Sequence, residues 1–140
     1  MVLDTNVVLS ALLWGGKPGE LLRASATAQV QLFSSQVLLD ELEQSLAKPR
    51  LADRLRRTGL AAAEWTSSFR ALVDLVQHGE LESPASRDAD DDFVLACALA
   101  AKADAIVSGD SDLLVLGVWN DIAILTPNDC LEVVTALQGA

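Results

Sequence analysis

Apolar residues along this chain fall into runs of two kinds. Short clusters at Val2-Leu3, residues 31–33, Ala105-Ile106-Val107 and residues 122–125 have the length of buried strands. Longer stretches between them carry helical spacing. Residues 7–13 read as a helix that Gly15-Gly16 stops. Pro18 suits the first turn of a second helix running to about Ala28. Ser34 or Ser35 caps a third helix that extends through Ala47, and Pro49 breaks it. Residues 51–57 form a short basic helix ended near Gly59. From Ala61, the positions Trp65, Phe69, Leu72, Val73 and Val76 predict one amphipathic helix, closed by His78-Gly79. After a polar connection containing Pro84, residues 91–102 are apolar on nearly every side, which predicts a buried helix. Thr126-Pro127-Asn128-Asp129 is a strong helix start, and residues 131–137 finish the chain.

Short strands alternating with helices predict an α/β fold. The expected form is a single three-layer domain over residues 1–140, with a central parallel sheet, right-handed crossovers and helices on both faces. In such sheets the ligand site lies beyond the carboxyl ends of the strands. No linker, repeat or low-complexity segment interrupts the pattern.

Composition narrows the picture. A hydrophobic fraction of 51% over 140 residues supports a real core and argues against disorder. No apolar run approaches the roughly 20 residues of a membrane span, and no basic segment leads into an apolar start. Cys97 and Cys130 stand far apart in apolar contexts, which fits neither a disulfide framework nor a zinc site and points to a reducing cytoplasm. The net charge of −10 is awkward for a nucleic-acid binder. Clustering softens the objection, because acids that bind a cation are neutralised by it. The bases cluster too: Lys48, Arg50, Arg54, Arg56 and Arg57 are half of the 10 basic residues. That stretch is either a solvated helix face or a contact for a nucleic-acid backbone.

The candidate chemistry is acidic. The first strand ends at Asp4, and the third runs into Asp110 and Asp112. Asp88, Asp90, Asp91 and Asp92 crowd the start of the buried helix. Capping and the helix dipole account for one or two acids there, but not for all of them, which repel one another unless a cation offsets them. In the third helix Leu38, Leu42 and Leu46 form the buried stripe. Glu41 and Glu43 flank that stripe on opposite sides, and helical geometry does not choose between them. Several acids at one sheet edge suit a hard cation such as Mg²⁺ or Mn²⁺. His78, the single histidine, reads as a helix cap. Gly15, Gly16 and Gly19 fit no phosphate-loop spacing.

Four stretches together resemble the PIN-domain family. They are Leu3-Asp4-Thr5-Asn6-Val7 followed by Ser10, residues 35–46 with Glu41-Leu42-Glu43, Asp92-Phe93-Val94-Leu95-Ala96, and Ile106-Val107-Ser108-Gly109-Asp110-Ser111-Asp112. Their order and spacing cover essentially the whole chain, and they look most like the toxin components of bacterial toxin–antitoxin pairs. The resemblance implies a Mg²⁺- or Mn²⁺-dependent endoribonuclease in which Asp4, Glu41, Asp92 and Asp110 are the catalytic, metal-binding acids. Asp112 would be a further metal-binding acid. Asn6 and Ser108 would orient ligands or water, Ser108 standing where threonine is commoner. Implied partners are an RNA substrate and a small antitoxin protein. Trp14, with the apolar residues of the first two helices, offers a homodimer surface. The competing reading is a catalytically silent metal-binding module that acts through a protein partner. A phosphoryl-accepting receiver ranks lower, since no lysine stands at a strand end near Asp4 and Asp110.

Overall fold

In the computed structural model, residues 1–86 and 88–138 are described. Val2 and Leu3 form β1 (Val2–Leu3), and Asp4 turns the chain directly into α1 (Thr5–Leu13) as its N-cap residue. Gly15 and Gly16, both with positive φ, separate α1 from α2 (Gly16–Thr27). After β2 (Phe33–Ser34), the Ser35 hydroxyl accepts the Leu38 amide and caps α3 (Gln36–Leu46). A 3₁₀ turn at Pro49–Leu51 leads into α4 (Ala52–Thr58), which Gly59 ends in the left-handed conformation at φ 77°. Then come α5 (Ala62–Arg70), β3 (Asp74–Leu75) and α6 (Ala89–Ala101). The chain finishes through β4 (Ala105–Val107), α7 (Ser111–Leu114), β5 (Val118–Trp119), β6 (Ile122–Leu125) and α8 (Pro127–Gln138).

The strands form one sheet in the order β3-β2-β1-β4-β6-β5. All neighbours are parallel except β5, which pairs antiparallel with β6. Side chains alternate across it. Leu3 and Val107 join a core with Val7, Leu21, Leu42, Leu46 and Phe69 on one face. Val2 and Ile106 join Val94, Leu95, Cys97 and Leu113 on the other. The expected three-layer α/β architecture is therefore present, with a sheet that is mostly rather than wholly parallel. Both cysteines are buried free thiols. Among the described residues no helix is long and apolar enough to cross a membrane.

Two strands depart from the sequence reading. The helix expected from Ala61 to Val76 stops at Arg70. Its apolar tail becomes β3, because the Asp74 amide donates to the Leu32 carbonyl at 2.8 Å and the Val76 amide to the Ser34 carbonyl at 2.9 Å. His78 consequently caps no helix; its Nε2 lies 2.9 Å from the Ser35 hydroxyl, and its Nδ1 2.9 Å from the Gly79 carbonyl. The second addition, β5, turns into β6 through Asn120 and Asp121, both at positive φ, as a two-residue hairpin requires.

Candidate metal centre

The strand order reverses at β1. The chain proceeds from β1 to β2 and β3 on one side, then returns to β4 and β6 on the other. A crevice is expected outside the carboxyl ends of the two strands that flank such a switch point. Asp4 follows β1 and Ser108 follows β4, so both stand at that edge.

Local bonding holds them there. The Asp4 amide donates to the Val107 carbonyl at 2.9 Å, which extends the ladder by one residue. The buried Ser108 hydroxyl donates to Asp4 Oδ2 at 2.8 Å and accepts the Asp110 amide at 2.9 Å. Asp110 in turn caps α7, its Oδ1 accepting the Asp112 amide at 2.9 Å. Asp4 is 6% exposed and Ser108 fully buried.

The third acid comes from α6. Oxygens of Asp4, Asp91 and Asp110 all lie within 4.8 Å of one another, a spacing that a single cation can bridge. Asp91 is 6% exposed, and burial together with a hydrogen bond and charge repulsion from Asp110 raises its pKa from 3.8 to about 7. Burial also raises Asp4, against the stabilising bond from Ser108. Either a proton or a cation would relieve this crowding of negative charge. The donor set consists of carboxylate oxygens alone, which fits Mg²⁺ or Mn²⁺ and disfavours softer metals.

The expected Asp92 is not in this group. Its Oδ1 accepts the amides of Ala85 and Ser86, at 3.2 and 2.9 Å, and the side chain faces the connection that precedes α6. Successive helix positions diverge by about 100°, so Asp91 and Asp92 cannot both face the strands. Asp91 shares its face with the fully buried Leu95 and Ala98, whereas Asp92 shares its own with Leu99, which is 46% exposed. Sequence reasoning had no sharp signal here, since the helix is apolar on nearly every side.

Glu41 on α3 is half-buried and borders the group. Burial raises its pKa, a hydrogen bond from Thr5 opposes the shift, and the negative charge of Asp4 adds to it. Glu43, the alternative on that helix, is exposed. Asp112 lies half-buried in the first turn of α7, outside the close group. Asn6 is exposed and lines a cleft of about 310 Å³ with Ser10, Gly109 and Asp110.

The basic stretch divides. Arg54 Nε donates to the Leu13 carbonyl at 2.7 Å, and its guanidinium lies 5.5 Å from the centre of the Trp14 ring. Arg56 pairs with Asp53. Lys48, Arg50 and Arg57 are exposed, and among the described residues their side chains make no hydrogen bond or ion pair. Leu13 lies roughly 13 Å along α1 from Asp4, at 1.5 Å per residue.

The structure is thus a mostly parallel α/β sheet whose buried acids at the switch point offer the donors for a divalent cation. The PIN domain family model matches residues 1–112, and the chain belongs to that family. No curated protein and no solved structure matches it.

Proposed function

We propose that this chain is a divalent-metal-dependent endoribonuclease and the toxin of a toxin–antitoxin pair. The carrying observation is the convergence of Asp4, Asp91 and Asp110 at the switch point of a PIN-family sheet. These three would hold Mg²⁺ or Mn²⁺. When bound, the cation supplies a water of lowered pKa and offsets charge on the phosphodiester.

The remaining roles belong to side chains. Ser108 aims Asp4 and opposes the upward shift that burial imposes on it, by donating to its Oδ2. Glu41, beside Asp4 and of raised pKa, accepts a proton from the attacking water. Asn6 offers its amide hydrogens to a phosphate or ribose oxygen in the cleft it shares with Asp110. Asp112 follows Asp110 by two residues, in the first turn of α7, and supports the group electrostatically. Lys48, Arg50 and Arg57 are the residues of the basic stretch free to meet an RNA backbone. An antitoxin segment covering the acid edge would silence the enzyme, and the exposed Trp14 supplies a surface for a homodimer.

The test is cleavage of unpaired RNA with and without Mn²⁺. Wild type should cut only with the metal, and Asp4→Asn should abolish cutting. Equal cutting by both would mark the activity as a contaminant. The engagement of Arg54 and Arg56 within the fold favours a second reading, a silent metal-binding module acting through a protein partner. It predicts Mn²⁺ binding with no turnover on any RNA.

A further inference from the structure

Asp92 sits next to the metal group without joining it, and its bonds show a different task. Its Oδ1 accepts two consecutive backbone amides, those of Ala85 and Ser86, at 3.2 and 2.9 Å. This folds the preceding connection onto the first turn of α6. The Ser86 hydroxyl then accepts the Asp88 amide at 3.3 Å and donates to Asp91 Oδ2 at 3.2 Å. A hydroxyl carries one proton, and the Asp88 amide already supplies its own, so the Ser86 proton points at Asp91. Asp88 completes the arrangement by accepting the Asp90 amide at 3.0 Å. Neighbouring acids on one helix thus divide the labour: Asp91 faces the strands, and Asp92 holds the segment that orients Asp91.

We propose that Asp92 and Ser86 are positioning residues, with Asp92 clamping the turn at residues 85–86 and Ser86 fixing the carboxylate of Asp91 for the cation. The inference rests on the metal reading above and extends it to residues that never touch the metal. Partners of this kind, which orient a ligand without binding the cation, are worth about 10–100-fold in metal affinity. The chemistry separates this role from ligation. An amide oxygen accepts two N–H bonds much as a carboxylate does, but it brings no charge to a cation. A side chain that only clamps therefore tolerates asparagine, and one that ligates does not.

Mn²⁺ affinity, measured by titration calorimetry on the full chain, decides between the roles. Asp92→Ala and Ser86→Ala should each weaken binding about tenfold or more. Asp92→Asn and Ser86→Thr should recover most of that loss, whereas Asp91→Asn should remove binding. Hydrogen exchange at the Ala85 and Ser86 amides gives a readout that needs no metal. Both should exchange faster in Asp92→Ala and stay protected in Asp92→Asn. Loss of affinity in Asp92→Asn as complete as in Asp91→Asn would overturn the proposal, as would unchanged exchange in Asp92→Ala. A wild type that takes up no Mn²⁺ would overturn the metal reading itself, and this one with it. That result is distinct from one in which only the Asp92 series misbehaves.

Discussion

The Ser108 hydroxyl donates to Asp4 Oδ2 at 2.8 Å across 104 residues of chain. One side chain thereby ties the ends of the two central strands and satisfies a carboxylate that is almost wholly buried. The same oxygen accepts the Asp110 amide, so removing it disturbs two acids of the group at once.

Ser108→Ala should therefore destabilise the fold by about 1–3 kcal/mol, the cost of leaving buried polar groups unsatisfied. Mn²⁺ affinity should fall with it. Ser108→Thr should restore both, because the hydroxyl is kept. Urea unfolding of the three proteins checks the order. An alanine variant as stable as wild type would show that the bond contributes nothing.

Stability should depend on pH in a direction set by the raised carboxyls. Asp91 is held up at about 7 in the fold, against 3.8 ordinarily, and Asp4 and Glu41 are shifted the same way. A carboxyl whose folded pKa is raised favours the fold in its protonated form. That contribution is complete below about pH 4 and is lost as pH rises through about 7. Metal-free protein should thus melt lower at pH 8 than these groups allow at pH 5. Mn²⁺ replaces the proton, so its stabilisation should be large at pH 8 and small at pH 5. At a hundredfold excess over Kd the gain is about 2.7 kcal/mol, which corresponds to roughly 6–12 °C in Tm for a chain of this size. Scanning calorimetry at the two pH values checks it; equal metal shifts at both would contradict the assignment.

Asp91→Asn removes one of the mutually repelling acids. Without metal the variant should melt higher than wild type at pH 8, while losing the Mn²⁺ shift and cutting RNA at least about 100-fold more slowly. The two effects have opposite signs, so a merely unfolded variant cannot imitate them. A thermal shift assay with and without Mn²⁺ reads both.

Charge reversal should sort the basic stretch by its contacts. Lys48→Glu with Arg57→Glu should weaken RNA binding and lower the salt slope by about 0.7 per lost contact to a single strand. Arg54→Ala should act on stability instead, by about 1 kcal/mol, since it releases the Leu13 carbonyl and the face of Trp14. Salt-titrated RNA binding and urea melts separate the two. If the double reversal leaves binding unchanged, this patch does not meet RNA.

Much of this was legible from residues alone, wherever local pattern and fold agreed. β1 and β4 fall on the apolar runs at Val2-Leu3 and residues 105–107, and the edge they define brings Asp4 and Asp110 together. What was not legible depended on distant partners. Leu72, Val73 and Val76 continue the spacing begun at Trp65, and only pairing with β2 converts that tail into β3. The Asn120-Asp121 turn was a usable sign of β5 that the brevity of Val118–Trp119 hid. Asp91 and Asp92 differ by one position on a helix without a polar face. The choice between them was made by the connection that wraps Asp92.

β1 lies between β2 and β4, so Val2 pairs with Phe33 on one side and with Ile106, much further along the chain, on the other. A ribosome building this protein therefore holds an incomplete chain in which Asp4 has neither Ser108 nor Asp110 to meet. Copies that terminate before residue 110 lack one of the three acids of the group. Under the proposed function, the acid group that would cut RNA has no complete form until residue 110 has been made.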